Sequence, residues 1–177
     1  MKDADNKIIE KISRDEIARL KQEWIECLSI KDFNDIFYPN IPQELKRHFG
    51  DKQVKLTPNS FLKMIENQRE KYIKDIRPTL ENPEFVFEDK DEIIFARFME
   101  DRLYFTSIAK EFKDDSNVYI IVIISNAPKK DNNIINKLKN AIKENRLLYK
   151  SKKLSRKTQM DLGSLVCMEN ESSIKKR

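Results

Sequence analysis

The sequence predicts an α+β fold with N-terminal helices, then a helix followed by a four-stranded antiparallel meander with a C-terminal helix. Two changes of pattern support this order. Apolar residues recur at helical spacing up to Arg77, and from Glu84 onward short runs of β-branched and aromatic residues take over. Helical spacing returns after Pro128. A chain of 177 residues is long enough for one well-buried core with an appendage, so we expect one core domain.

Two amphipathic helices are predicted before the strands. The first spans residues 13–28, where a serine cap is followed three residues later by a glutamate. The second begins at Thr57, a cap followed by proline at the first helical position, and is expected to end at Pro78. Between them, prolines break residues 32–50 into short helical turns.

Four short runs predict the strands of the meander, at residues 84–87, 92–98, 102–109 and 117–125. The last run, NVYIIVIIS, is apolar on both faces, so we expect it to be the central strand with protein on both sides. A helix is predicted at residues 132–145 and an edge strand at residues 146–150.

The remaining residues contain few apolar side chains and begin with a cluster of Lys and Arg, which predicts a flexible basic tail. The predicted organisation is therefore an N-terminal helical region at residues 1–53, an α+β domain at residues 54–150 and the tail at residues 151–177.

The composition favours a polyanionic partner. Charged residues make up 37% of the chain, and the formal net charge is +5 with a pI near 9.0. RNA, DNA and an anionic membrane surface all fit this charge. No apolar run approaches the length of a membrane span, and the N-terminus is too polar for a signal peptide, so we expect a cytoplasmic protein.

Several kinds of site are absent from the sequence. The chain has 2 glycines and lacks a Gly-rich phosphate loop, an HExxH or GxSxG motif and a metal-ligand cluster, so we expect neither a cofactor nor a metal. Cys27 and Cys167 show no metal-like spacing. His48 is the only histidine, which excludes two-histidine catalysis within one chain, and we interpret it as an ordinary surface residue.

Arg69 is the most informative position of the second predicted helix. On a helical wheel it falls within an apolar stripe made of Leu62, Ile65, Tyr72, Ile73 and Ile76. An arginine there must extend past the core, pair with a buried carboxylate, or face a cleft where it can hold a phosphate. The sequence leaves these alternatives open.

Polar residues also alternate with apolar ones on the predicted strands. Ser107 and Thr106 lie on opposite faces of one strand, and either hydroxyl could face a ligand. Arg97 is a cation that shares a face with core-like residues. Ser125, Asn126 and Lys129 follow the last strand, where their polar groups would meet at the rim of the sheet. Alternatively, the Ser-Asn pair only forms the turn before the next helix.

These residue types suit one metal-independent chemistry. Cleavage of RNA through its own 2′-OH needs that hydroxyl deprotonated, the extra phosphate charge stabilised and the 5′-oxygen protonated. Arginine and lysine can supply the second need, and a neighbouring Lys, Tyr or carboxylate can assist the others.

The order of elements and several segments resemble the phage-associated barnase/EndoU/colicin/RelE-like nuclease domains of mobile-element polyvalent proteins. The similarity covers about residues 54–150 and rests on KLTPNSFLKMIENQREKYIKDIRPTLENPEFVF, RLYFTSIAKEF, IISNAPKK and NKLKNAIKENRLLYK. The resemblance implies an RNA-cleaving domain whose active site lies on the exposed face of the sheet beside the preceding helix. By motif, it favours Arg69 in NQREKYI, Ser107 in FTSIA, and Ser125 and Lys129 in SNAPKK. The histidine that some relatives of the fold carry on the helix is absent, so no general base is identified.

The leading hypothesis is a metal-independent endoribonuclease that acts as a toxin or effector of a phage or mobile element. Its expected partners are tRNA or other cellular RNA and an antitoxin or immunity protein. The predicted catalytic residues are Arg69, Ser107 and Ser125, and the predicted substrate-binding residues are Arg97, Thr106, Asn126 and Lys129.

Two alternatives stay open. One is a catalytically inactive module of the same fold that binds nucleic acid or protein, and the other is an interaction domain whose basic tail engages an acidic protein or a membrane. Clustering of Arg69, Arg97, Ser107 and Ser125 in one pocket would favour an enzyme. Scattering of these groups, with cations confined to the tail, would favour a binder.

Overall fold

In the part of the chain that the structure describes, the fold combines six helices with one mixed sheet. The structure, a computed structural model, describes residues 13–101 and 103–163. The helices are α1 (Arg14–Leu28), α2 (Gln43–Phe49), α3 (Pro58–Glu66), α4 (Ile73–Glu81), α5 (Asp131–Lys143) and α6 (Arg156–Leu162), with a short 3₁₀ turn at Glu70–Tyr72. The strands are β1 (Val54–Lys55), β2 (Phe85–Asp89), β3 (Glu92–Phe98), β4 (Tyr104–Lys113), β5 (Tyr119–Lys129) and β6 (Leu147–Lys150). No helix within the described ranges is long and apolar enough to cross a membrane.

The sheet has six strands in the order β1-β5-β4-β3-β2-β6. The predicted antiparallel meander is confirmed as β2 to β5, and the predicted edge strand is confirmed as β6, which pairs with β2. One strand of the sheet was not predicted, the short strand β1, which is parallel to β5 and extends the sheet at the edge opposite β6.

The expectation that β5 is the central strand is wrong. β5 lies next to the edge strand β1, which pairs with it only at Val54↔Ile121 and Lys55↔Val122. Among the described residues, no strand pairs with the outer edge of β5 beyond Val122. One face of β5 is covered, since Ile121 and Ile123 are buried in the core formed with the helices, whereas Ile120, Val122 and Ile124 on the other face are half-buried.

Helices cover both faces of the sheet. The first core joins helices α1 to α4 to one face, which includes Phe95 and Phe105. The second core joins α5 and α6 to the opposite face, which includes Ile94 and Tyr104. These four side chains are at most 2% exposed. Where these helices pack, neither face of the sheet is exposed.

The N-terminal helices are part of the main core. As predicted, α1 begins after a Ser13 cap, whose Oγ accepts a hydrogen bond from the Glu16 N–H at 3.1 Å. Trp24 of α1 is fully buried and packs edge-to-face on Phe61 of α3, with 5.5 Å between ring centroids. In the described part of residues 1–53, the helices thus pack into the core that the sheet also uses.

The single helix predicted from Thr57 is interrupted after Glu66. Gln68 has a positive φ of 57°, its N–H donates to the Ile65 carbonyl, and the Arg69 N–H donates to the Met64 carbonyl. These two bonds form a Schellman motif, which ends a helix and is most often built on glycine. Arg69 consequently lies on a turn and not within a helical stripe.

The expected helix end at Pro78 is also wrong. Pro78 lies inside α4, which continues to Glu81. A proline removes one helical hydrogen bond, but the following residues Thr79 and Leu80 are fully buried, and their packing favours continuation.

The predicted flexible tail is ordered over residues 155–163. The Ser155 hydroxyl caps α6 by accepting from the Thr158 N–H at 3.2 Å, and Thr158 and Leu162 are buried. The Thr158 hydroxyl donates to the buried carboxylate of Glu84 at 3.0 Å. These contacts hold α6 against the sheet, so the prediction of a flexible tail is wrong for residues 155–163. Residues 164–177 lie outside the described range.

Candidate active site

The predicted site residues divide between the two faces of the sheet. Directly opposed residues of antiparallel strands share a face, and successive residues alternate. The register therefore places Ser107, Asn126 and Arg97 toward helices α1 to α4, and Thr106, Ser125 and Lys129 toward α5.

Ser107 and Asn126 form a buried pair. They stand opposite each other on β4 and β5, and the Ser107 hydroxyl donates to Asn126 Oδ1 at 2.5 Å. Their side chains belong to residues that are 0% and 3% exposed. Both Ser125 and Asn126 lie within β5, so the expectation that they form the turn or rim after the strand is wrong.

Arg97 holds the end of α4 against the sheet. Its Nη1 donates to the carbonyl of Asn82, the residue after α4, at 2.7 Å. Arg97 stands opposite Phe105 on β4 and is half-buried. The structure therefore separates Arg97 from the predicted residues that face α5.

A cleft of about 250 Å³ opens between the sheet and α5. Two predicted residues line it, Thr106 and Lys129. Thr106 is buried, and its hydroxyl donates to the Ala127 carbonyl at 3.1 Å. The other lining residues are Ile94, Ile108, Asn133, Ile134, Asn136 and Lys137. In this cleft, predicted site residues border an open space together with further polar groups.

The surroundings of Lys129 disfavour the protonated, positively charged form of its side chain. Burial lowers the pKa of the Lys129 ammonium, and the positive charges of Arg69 and Lys137 lower it further, against a smaller opposing effect of Glu92. Three cations therefore lie near one another. Lys137 forms an ion pair with Asp89, with Nζ and Oδ2 3.1 Å apart.

Arg69 and Lys129 have no ion-pair partner within the ranges 13–101 and 103–163. Both side chains are half-buried. Partly buried cations without a carboxylate are stabilised by an anionic ligand, and the planar guanidinium matches the geometry of phosphate. Both side chains are thus of the kind that binds phosphate, and the charge of Arg69 acts on Lys129.

The turn that carries Arg69 is fixed by its backbone and by a ring contact. The Arg69 N–H donates to Met64 at 2.7 Å, and the Arg69 carbonyl accepts from the Tyr72 N–H at 2.9 Å. The ring of Tyr72 packs beside Phe105 of β4, with centroids 6.2 Å apart. These contacts hold the base of the Arg69 side chain against the sheet.

Sequence reasoning missed the contribution of α5 to the cleft. Asn133, Asn136 and Lys137 are spaced i, i+3 and i+4, which places them on one side of a helix. This spacing of polar residues, next to the apolar stripe of α5, could have been recognised in the sequence. The sequence could not show that this side of α5 faces Lys129, because that contact depends on how the helix packs.

The arrangement suits charge stabilisation and proton donation at a phosphate. Arg69 and Lys129 can hold phosphate oxygens, and a lysine with a lowered pKa is a stronger acid toward a leaving oxygen. The described residues contain no group of three or more His, Cys, Asp or Glu side chains that could hold a metal ion.

His48 lies elsewhere. It borders a different cleft with Glu88, its side chain is 47% exposed, and its Nε2 is 3.8 Å from Glu88 Oε1.

Comparisons with known proteins identify the domain. The model of the PBECR2 family, described as phage-Barnase-EndoU-ColicinE5/D-RelE like nuclease2, matches residues 32–150. That range contains Arg69, Lys129 and every residue that lines the cleft beside α5. It begins within the predicted N-terminal region, in agreement with the shared core. No significant match was found among curated proteins or among solved structures. The mixed α+β architecture is consistent with this family, and the chain therefore belongs to the PBECR2 family of phage barnase/EndoU/colicin/RelE-like nuclease domains.

Proposed function

We propose that the protein is a metal-independent endoribonuclease that cleaves RNA through attack of the 2′-OH on the adjacent phosphate. Its family supports a nuclease and hence a nucleic-acid substrate. The observation that carries the assignment of the site is the pair Arg69 and Lys129, two neighbouring cations without a carboxylate partner in the described chain, beside a cleft that contains further polar groups.

In this proposal Arg69 and Lys129 hold the scissile phosphate and stabilise the extra negative charge that develops on it. Lys129 is also the candidate that protonates the 5′-oxygen, because its lowered pKa favours proton release, and the proton of the attacking 2′-OH passes to solvent water. Thr106 and Ser125 lie on the same face of the sheet as Lys129 and are proposed to contact the substrate.

The opposite face of the sheet carries three further predicted residues, Ser107, Asn126 and Arg97. Since Ser107 is buried and donates to Asn126, we propose that this pair positions β4 and β5 beneath the cleft. Arg97 is proposed to fix the end of α4 through its contact with Asn82. Sequence reasoning assigned these three residues to catalysis or substrate binding, and their positions favour an indirect role.

A second candidate function is a catalytically inactive module that binds nucleic acid. The specific observation in its favour is that Ser107 and Ser125 lie on opposite faces and that Arg97 is engaged by Asn82, so the predicted groups do not share one pocket. Against it, Arg69 and Lys129, which have no ion-pair partner among the residues that the structure describes, belong to the folded domain and not to the tail.

The test is incubation of the purified chain with total tRNA and with a mixed-sequence RNA in EDTA, followed by mapping of fragment ends. Arg69→Ala is compared with Arg47→Ala, a matched control at an exposed arginine of α2 that does not line the cleft. We expect discrete fragments from the wild type and the control and none from Arg69→Ala. Intact RNA that is nevertheless bound would support the inactive module, and equal cleavage by Arg69→Ala would overturn the role of Arg69.

The biological setting belongs to the same proposal. The phage-type family supports a toxin or effector of a phage or mobile element that acts on cellular RNA in the cytoplasm. Such a nuclease would require an antitoxin or immunity protein in the cell that makes it.

A further inference from the structure

The cleft beside α5 has the size of a pocket for a single ring system. Its volume of about 250 Å³ lies below the roughly 300–1,000 Å³ of pockets that hold drug-sized ligands. One wall is the sheet and the other is α5, so a planar group can enter between them. A whole nucleotide would have to keep its phosphate outside.

Three apolar side chains contribute to the walls of the cleft. Ile94 and Ile108 come from neighbouring strands, and Ile134 comes from α5. The hydroxyl of Thr106, which also lines the cleft, is already engaged with the Ala127 carbonyl. Apolar side chains on both sides of a narrow space suit the faces of a nucleobase, which gain from leaving water.

The polar edge of the cleft is made by two amides. Asn133 and Asn136 lie about one helical turn apart on α5, and within the described chain no protein group hydrogen-bonds either side-chain amide. Each amide offers donors and an acceptor, which is the chemistry that reads the edge of a base. Both side chains are therefore available to a ligand.

The positive charge at the cleft indicates which other group the ligand carries. Lys129 and Lys137 line the same space, and the charge of Arg69 acts on Lys129. A base in the cleft would thus have its phosphate among these cations. A neutral aromatic ligand would make no ionic contact with these cations.

We propose that this cleft takes one unpaired nucleobase, which Asn133 and Asn136 recognise by hydrogen bonds, and that the substrate is therefore single-stranded RNA. A base within a duplex has its edge paired and its faces stacked, so it cannot enter such a cleft without being extruded. The inference rests on the proposed function in that it places the scissile phosphate next to Lys129.

Binding of small ligands tests the pocket without cleavage. The four nucleoside 3′-monophosphates and inorganic phosphate are titrated against the wild type, Asn133→Ala, Asn136→Ala and the control Asn140→Ala, an exposed residue of α5 outside the cleft wall. We expect nucleotides to bind more tightly than phosphate and to differ among bases. Each cleft variant should weaken the preferred nucleotide about 3–10-fold, the loss of one or two neutral hydrogen bonds, and leave phosphate binding unchanged. Equal affinity for phosphate and all nucleotides would overturn the inference.

Cleavage then separates the two proposals. The same RNA sequence is offered as a single strand and as a duplex, and cut positions are mapped for the wild type and for the double variant Asn133→Ala/Asn136→Ala. We expect cuts in the single strand only, with the base preference lost in the double variant. Equal cutting of both forms with unchanged preference would refute the pocket while the nuclease assignment stands. Base-selective nucleotide binding without any RNA cleavage would refute the nuclease assignment while the pocket stands.

Discussion

Replacing Ser107 by alanine tests whether this serine stabilises the fold or takes part in catalysis. The substitution removes the hydroxyl that donates to Asn126 Oδ1 at 2.5 Å. Asn126 is 3% exposed, and its Nδ2 has no partner in the described chain, so the variant leaves a buried amide without any side-chain hydrogen bond. An unsatisfied buried polar group costs about 1–3 kcal/mol. For a chain of this size that corresponds to a fall in Tm of roughly 2–12 °C.

The free energy of unfolding is measured by urea titration with tryptophan fluorescence, which reports on the core because Trp24 is the only tryptophan and is fully buried. The double variant Ser107→Ala/Asn126→Leu removes both polar partners and should recover most of the loss. A loss below about 0.5 kcal/mol for Ser107→Ala would refute the reasoning, since surface changes without a partner fall in that range.

Cleavage by Ser107→Ala is measured at a temperature where the variant is fully folded. A positioning role predicts a decrease of only a few-fold, with the same cut positions. A decrease of about 100-fold or more in a variant of unchanged stability would instead make Ser107 catalytic.

Three further predictions concern other parts of the chain. Lys129→Met should be more stable than the wild type at neutral pH. Because the folded state lowers the pKa of Lys129, this gap should close as the pH rises through about 10.4, the ordinary lysine value, and urea titrations giving a constant gap would contradict it. Thr158→Val should lose about 1–3 kcal/mol of unfolding free energy, because its hydroxyl contacts Glu84 at 3.0 Å and Tyr104 at 2.9 Å; unchanged stability would show that α6 is not fastened there. His48→Ala should cleave RNA at the wild-type rate and change stability by less than about 1 kcal/mol, because the side chain is 47% exposed; a large rate loss would make the histidine catalytic.

Elements defined by local patterns could be predicted from the sequence. The Ser13 cap and the apolar spacing that follows it are properties of neighbouring residues, and so is the alternation along β2 to β5. The break after Glu66 could not be read in this way, because the Schellman motif uses Gln68 where glycine is usual. A helical wheel that ignored this break therefore placed Arg69 in an apolar stripe. In the structure, Arg69 lies on a turn.

The candidate site depends more strongly on tertiary contacts. Lys129 and Arg69 were already candidates from the sequence. The structure adds that the charge of Arg69 acts on Lys129 and that neither residue has an ion-pair partner within the described ranges. The face of Ser107 followed from alternation, whereas its burial depends on how α1 to α4 cover the sheet. The contribution of α5 to the cleft could be found only by knowing which side of that helix borders the open space beside the sheet.

The most direct test of the central claim uses a short RNA with one mapped cut position and a second RNA that carries a single 2′-deoxy residue there. Both are incubated in EDTA with the wild type, with Lys129→Ala and with Lys143→Ala, a control at an exposed lysine at the end of α5. We predict that the wild type and the control cut the unmodified RNA, leave 2′,3′-cyclic phosphate ends and spare the deoxy position, and that Lys129→Ala is slower by roughly 10–100-fold, the loss of a charge-assisted contact. Cutting at the deoxy position, or an undiminished rate for Lys129→Ala, would contradict the account.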